Sequence, residues 1–272
     1  VVPLALKSMG FKENIPEIIE VGEKLEMLKQ NLSHYAKQRD YLDKDVTSHL
    51  SIDLRFGTIS IRALLRFLTL QKKEGLDTEP FFRQLVFRDF YAYLLFHFPR
   101  LAWENHKYRF NGLEDEEKFS AFCQARTGLP IIDAGVRELL QSGDIHYRVR
   151  MICASFITKD LLLPWQWGEK FFAKYLLDYD AASNILSWQW SAGTGIDPQP
   201  YFRIFNPYLQ SKKFDKEAKY IKKWIPELKE IDAKHLHDEA YLLQNTLEYY
   251  TKPMVLHKEA SQEALAYFKQ RL

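Results

Sequence analysis

The sequence predicts an all-α domain, and three observations carry that reading. Apolar residues recur at helical intervals of three and four, two-residue alternation is scarce, and no strand–GxGxxG–helix unit or P-loop interrupts the pattern. A dinucleotide bound here is therefore not held by a Rossmann turn. Taken in order, Ile61, Leu64, Leu65 and Leu68 follow i, i+3, i+4, i+7 behind Ser60, whose hydroxyl suits an N-cap. Pro80 is placed to open the next helix, with an expected core stripe of Phe82, Leu85, Val86, Phe90, Tyr93 and Leu94. Further helices are expected around Ile131–Ser142, His146–Leu163, Glu169–Leu177, Lys216–Trp224 and His257–Leu272. No repeat, low-complexity tract or Ser/Gly-rich linker divides the chain, so 1–272 reads as a single domain.

Composition narrows the function classes. The 272 residues are ample for a core that is 46% hydrophobic and unusually rich in rings, at 15% aromatic. Lys and Arg number 38 against 36 Asp and Glu, a formal charge of +2, so any basic surface must be a local patch. The two cysteines, Cys123 and Cys153, lack metal-ligand spacing and read as reduced packing residues. His235 and His237, two apart, would splay on a helix, so no metal is expected. His146 has no nucleophile or metal partner in the pattern and is not read as a general base. No apolar run approaches the roughly 20 residues of a membrane helix, and the start lacks a signal-peptide pattern. The expectation is a cytoplasmic chain, monomeric, with no membrane partner.

The most informative stretch runs from Asn184 to Pro207, NILSWQWSAGTGIDPQPYFRIFNP. Trp188 and Trp190 sit beside Ser, Gly, Thr and Pro residues that cannot continue a helix. Large aromatics in such a loop suit stacking on flat π-systems such as a flavin or an unpaired base. Phe202 and Phe205 read as core filler. Tyr35, Arg39 and the Thr47-Ser48-His49-Leu50-Ser51 loop combine hydroxyls, a cation and backbone N–H groups ahead of a helix, a chemistry that can hold a pyrophosphate. On its own, that stretch is more often a cap or turn than a phosphate site, Asp178 and Asp180 read as a solvated helix end, and Asn184 as a cap.

The string W-x-W, then G-x-D, then P-Y-F-R-I-F-N-P resembles the signature region of the DNA photolyase/cryptochrome family. The resemblance extends through Tyr35-x-x-x-Arg39-Asp40, Arg55-Phe56-Gly57-Thr58-Ile59-Ser60, Thr127-Gly128-x-Pro130-Ile131-x-Asp133-Ala134, Arg148-x-Arg150-Met151 and Lys159-Asp160-Leu161-Leu162 to Lys252-Pro253-Met254-x-x-His257-Lys258. Its nearest match is to bacterial class I cyclobutane pyrimidine dimer photolyases. The resemblance implies the family's helical FAD-binding domain without the N-terminal α/β antenna domain, with 1–30 as the inter-domain connection and entry helix. It implies FAD as cofactor, DNA containing pyrimidine dimers as partner, and light-driven electron transfer from reduced FAD that splits a dimer flipped out of the duplex.

By the same resemblance, residues Tyr35, Thr47, Ser48, His49, Leu50, Ser51, Phe81, Gln84, Arg88, Tyr147, Arg150, Asp178, Tyr179, Asp180 and Asn184 line the cofactor. Arg88 is expected to pair with Asp178, and Asn184 to face the flavin N5 edge. Photolyases usually continue N-N-G-G before W-x-W, where this chain has Asn184-Ile185-Leu186-Ser187. Trp188 and Trp165 match the first two members of an electron relay. The usual third position, in 110–119, holds no tryptophan. Trp190 matches the residue that stacks on the lesion, and Met151 one that touches it. Gln84 and Phe87 stand where dimer photolyases carry Glu and Trp, and Tyr147 replaces an Asn. Because (6-4) photolyases need two histidines where this chain has Tyr147 and Met151, that activity is disfavoured. Phe87, Tyr147, Arg148, Arg203 and Gln210 are the expected DNA contacts, with Lys212 and Lys213 on the same rim. Alternatives are a cryptochrome-like blue-light photoreceptor with little or no repair, or a flavin-poor DNA-binding remnant.

Overall fold

Leu28, Leu32 and Tyr35, spaced four and three apart, form the buried face of the first helix, α1 (Val21–Gln38). The structure, a computed structural model, describes Ser8 and residues 19–272, and among these it is helical with no strand. The rest of the expected connection, 1–7 and 9–18, lies outside the described residues. After α1 come α2 (Ser51–Phe56), α3 (Ile61–Lys73) and α4 (Glu79–His97). Leu64 and Leu68 of α3 and Phe81 and Leu85 of α4 close a small core over the α1 face. Ser60 caps α3 as expected, accepting from the Ala63 amide at 3.1 Å.

The stripe expected on α4 is only partly right. Leu85 and Leu94 are buried, joined by Phe81, whereas Phe82, Val86, Phe90 and Tyr93 are exposed. Aromatics run all round this helix, so periodicity could not choose its face. Packing against α1 and α9 does.

The larger core is built by α5 (Glu116–Cys123), α6 (Pro130–Ser142), α7 (Tyr147–Ser155), α8 (Trp165–Tyr175) and α9 (Ala181–Ala192). The Thr-Gly-x-Pro-x-x-Asp motif opens α6 for a physical reason. Asp133, fully buried, accepts from the Thr127 amide and hydroxyl, the Gly128 amide and the Tyr250 hydroxyl, at 2.7 to 3.0 Å. Gly128 has φ +75, and a Cβ there would sit 2.1 Å from the Lys252 carbonyl oxygen. The tail is thereby pinned to the core.

Past Ser155 the expected helix to Leu163 relaxes into a π-helical turn, Phe156–Asp160, and stops at Leu162, whose φ is 53. Lys159 and Asp160 are buried in that turn, and both grip the last helix, α14 (His257–Lys269). Lys159 Nζ lies 4.0 Å above the Phe268 ring, and Asp160 meets His257 at 2.5 Å. Between them run α10 (Pro207–Phe214), α11 (Lys219–Trp224), α12 (Ala233–Leu236) and α13 (Glu239–Gln244). Cys123 and Cys153 are free, and burial raises both thiols, that of Cys123 to about 11.

Two expectations about the aromatic stretch are overturned. Trp188 and Trp190 lie within α9, which ends only at Gly193 in the left-handed conformation, so they are helical residues and not loop residues. Phe202 is 63% exposed and therefore not core filler, while Phe205 is half-buried.

Candidate functional site

The turn before α9 gathers charge. Asp180 caps that helix, accepting from the Ser183 amide at 2.9 Å. Asp178, nearly buried, receives both terminal nitrogens of Arg150 at 3.2 and 3.0 Å, a bidentate pair. Arg150 also donates to Asp144 at 3.0 Å and to the Ile145 carbonyl at 2.8 Å. Arg88 does not pair with Asp178, as had been expected. It lies 3.8 Å from Asp180 and donates to the Leu54 carbonyl at 3.3 Å. Arg150 rises from α7 beneath Asp178 and takes both its oxygens, so Arg88, reaching across from α4, meets the second acid. Arg55 of α2 donates to the Tyr179 carbonyl at 2.5 Å and ties the same turn to the first core.

One turn into α9, Asn184 donates its amide to Glu169 Oε1 at 3.1 Å, and the Tyr179 hydroxyl donates to the same oxygen at 3.1 Å. A carboxylate only accepts, so Nδ2 is fixed inward and Oδ1 is left free as an acceptor among the described residues. Burial and Glu169 together push the Tyr179 phenol up to about 12. Glu169 is the residue that sequence reasoning missed. Its signal was an acid on the buried stripe of α8, beside Trp165, Gly168 and Phe172.

A second group closes the neighbouring side. Tyr35 packs edge-on against Phe81 at 5.4 Å, and Arg39 lies over both Tyr35 and Tyr147 at 5.5 and 5.9 Å. The Tyr147 hydroxyl donates to Asp40, and Arg148 joins the same oxygen at 2.7 Å. Burial works against the Asp40 charge, but these two donors hold its carboxyl below the usual range. Arg148 also lies 4.6 Å over Phe214 and 3.6 Å from the Met151 sulfur. In the loop ahead of α2, the Leu50 amide donates to Ser48 Oγ at 3.3 Å, while His49, at φ 50, meets Asp45 at 2.6 Å and Thr47 at 3.2 Å. Its hydrogen bond to Asp45 raises the His49 imidazole. Ser51 is exposed at the start of α2.

Beneath these groups the tryptophans divide. Trp188 is buried, edge-on to Phe172 at 5.2 Å, and lies so close over Gly168 that a Cβ there would meet its ring at 2.3 Å. Trp165 is buried too, its indole N–H donated to Asn105 Oδ1 at 2.8 Å. Trp190 is half-buried.

Other expected site residues are not drawn into this network. Gln84 donates weakly to the Pro80 carbonyl of its own helix at 3.4 Å, and Phe87 is 56% exposed. Arg203 is exposed and Gln210 half-buried, with no side-chain hydrogen bond or ion pair among the described residues.

Residues 81–270 match the family model described as the FAD binding domain of DNA photolyase. The chain is 38% identical over 253 residues to the deoxyribodipyrimidine photo-lyase of Alkalihalophilus pseudofirmus, covering 89% of this chain and 53% of that protein. It is 36% identical over 268 residues to the Escherichia coli protein of the same name, covering 94% and 56%. The bacterial class III photolyase from Agrobacterium tumefaciens superposes with a TM-score of 0.85 at 38% identity, over 92% of this chain and 55% of that one. The Synechocystis cryptochrome gives 0.82 at 26% identity, over 91% and 56%. The chain spans about half the length of the curated relatives it matches.

Proposed function

Because this chain belongs to the DNA photolyase family and carries its FAD-binding domain, we propose that it performs light-driven electron transfer to repair cyclobutane pyrimidine dimers in DNA. The observation that carries the reading is the pairing of Asn184 with Trp188 on α9. Four residues apart, they share one helix face, the first with a free amide oxygen at the charged turn and the second buried below it.

The residues fit the cofactor. Arg39 has a buried terminal nitrogen without a hydrogen-bond partner among the described residues, next to Tyr35 and near the end of α1, as a site for an anionic group requires. In this reading Tyr35, Thr47, Ser48, His49, Leu50 and Ser51 hold the pyrophosphate and ribityl end. Phe81, Gln84, Arg88, Tyr147, Arg150, Asp178, Tyr179 and Asp180 enclose the ring end, and Asn184 offers Oδ1 to its N5 edge. FAD bound there supplies the photoexcited electron donor. Trp188 and Trp165 carry electrons inward without any acid or base. Trp190 and Met151 face the flipped lesion, and Phe87, Arg148, Arg203 and Gln210 meet the surrounding DNA.

A cryptochrome-like photoreceptor with little repair is the second reading, and one observation favours it. The Tyr147 hydroxyl, at a position that resembles a lesion-contacting Asn, is spent on Asp40. Absorption spectra of the purified protein in the dark and under blue light test the shared core of both readings. Flavin bands that bleach with a mild electron donor support it, and a protein that never retains flavin overturns it. Conversion of a defined thymine-dimer oligonucleotide under blue light separates the two.

A further inference from the structure

Trp165, the second member of the expected relay, is 1% exposed, and its indole N–H is donated to Asn105 Oδ1 at 2.8 Å. The orientation of that amide is fixed from both ends. An indole nitrogen only donates, so the atom facing it is the carbonyl oxygen. On the other side, Nδ2 donates to the Tyr108 carbonyl at 3.3 Å and to Asn111 Oδ1 at 3.0 Å.

The backbone around Asn105 is anchored as well. Gln189 of α9 donates to the Leu101 and Glu104 carbonyls at 2.6 and 3.0 Å, and the His106 and Lys107 amides donate to the Thr194 carbonyl at 2.9 and 2.8 Å. Further on, the Leu113 amide donates to the Leu162 carbonyl at 2.6 Å. Gly112, at φ +78, packs so closely there that a Cβ would meet the Pro164 nitrogen at 2.5 Å. Residues 104–113 are thereby seated on the turn that opens α8, and Asn105 meets Trp165 from a fixed segment.

No base among the described residues competes for the indole proton. The space beside the ring measures about 10 Å³, at the lower limit for one water, and its lining holds no carboxylate or imidazole. The Thr158 hydroxyl there donates to the Ala154 carbonyl at 2.7 Å, and the Tyr267 hydroxyl accepts from the Gly112 amide at 3.0 Å. The buried Lys159 spends its Nζ on the Ala192 carbonyl at 2.9 Å.

We propose that Asn105 controls the charge state of Trp165 during electron transfer, an inference that rests on the relay reading above. Giving one electron to Trp188 leaves Trp165 as an indole radical cation, whose N–H is far more acidic than that of the neutral ring. The amide oxygen accepts this N–H in a charge-assisted hydrogen bond and does not take the proton. One electron leaves the indole, the proton stays on Nε1, and no bond is made or broken. The hole is then filled by one electron, returned from the flavin side or supplied by a thiol reductant in solution. Asn105 touches the oxidised ring itself, lowers the cost of the hole and keeps it mobile.

The test is transient absorption after a blue flash on the flavin-loaded full chain, in light and heavy water. Beside it stands the Trp165 indole resonance in NMR, assigned by its loss in Trp165→Phe and independent of the flash. The parent should show a slowly exchanging N–H and, after the flash, a radical-cation spectrum whose decay has no solvent isotope effect. Asn105→Asp puts a base in the same place and should yield the neutral radical, with a lifetime longer by on the order of a hundredfold. Asn105→Leu removes the acceptor without admitting water, and should keep the spectrum cationic while lowering the radical yield by up to about tenfold. A neutral radical or an isotope effect in the parent, a rapidly exchanging N–H, or a folded Asp variant with the parent spectrum overturns the proposal and leaves the relay standing. A protected N–H with no tryptophan radical in any of these proteins removes the relay reading, and this inference with it.

Discussion

The turn before α9 and the outer face of α4 carry the same residue types and use them in opposite ways. At the turn, Arg150 and Asp178 form a bidentate pair with the acid nearly buried, and Asn184 is tethered through Glu169. On α4, Arg88 reaches Asp180 only at 3.8 Å, Gln84 bonds weakly to its own helix, and Phe87 stands in solvent. The first is held by close bonds, with both Asp178 oxygens taken by Arg150 and the Asn184 amide fixed on Glu169; the second is held only by long contacts. In the repair reading proposed above, the fixed turn would bound the cofactor and Phe87, on the outer face of α4, would meet an extruded nucleotide.

The contrast breaks most visibly at Arg150. Arg150→Ala strands the Asp178 carboxylate and should cost about 3 kcal/mol in urea denaturation, with FAD lost during purification. Asp178→Ala should likewise lower the flavin-to-protein ratio, and undiminished flavin content would show that the pair does not hold the cofactor.

Next in size is a pH effect. His146 donates Nε2–H to the Arg39 carbonyl at 3.0 Å, and its Nδ1 accepts from the Arg148 amide at 3.1 Å, so the fold needs the neutral ring. Burial, with the nearby Arg148 charge, depresses its imidazole to about 4. The unfolded chain therefore takes the proton first. Stability from this residue is present above about pH 6.5 and falls toward pH 4, by on the order of 3 kcal/mol. Asp160 and Asp215, each raised to about 6 by burial, act in the opposite sense over that range. The test is accordingly differential: His146→Gln should unfold with a shallower acid loss than the parent, and an imidazole titrating near 6.5 by NMR would refute the assignment.

Gly168→Ala sharpens the comparison from inside the core. Its Cβ would collide with the Trp188 ring, and the shift should cost about 1–3 kcal/mol, with an altered near-UV dichroism of the tryptophans. The smallest effects belong to α4. Arg88→Ala should change stability by less than about 1 kcal/mol, as for a long, half-buried contact still open to solvent. Phe87→Ala should stay within about 0.5 kcal/mol while weakening dimer-containing duplex in anisotropy.

Much of this was legible before any coordinates. Ser60 as a cap, α6 ending at Ser142 and α14 starting at His257 follow from local chemistry that acts within one turn. The charged turn was legible only as a set of residues. Which arginine meets which acid was not, because Arg88 and Arg150 are equally plausible partners until α4 and α7 are placed. Glu169 escaped notice because an acid in an amphipathic helix usually faces water, and its exposure of only 8% is a property of the assembled core. The apolar face of α4 failed for the complementary reason: with aromatics on every side, its sequence carries no preferred direction.

By itself, then, the sequence determined the helical class, the capping and turn chemistry, and through the Trp188–Pro207 signature the family, since each depends on neighbours within a few positions or on the string itself. The tertiary structure decided the Arg150–Asp178 and Arg88–Asp180 pairing, the helical setting of Trp188 over Gly168, and the fixed amide of Asn184. Those depend on distances between segments far apart in the chain, and only packing sets them.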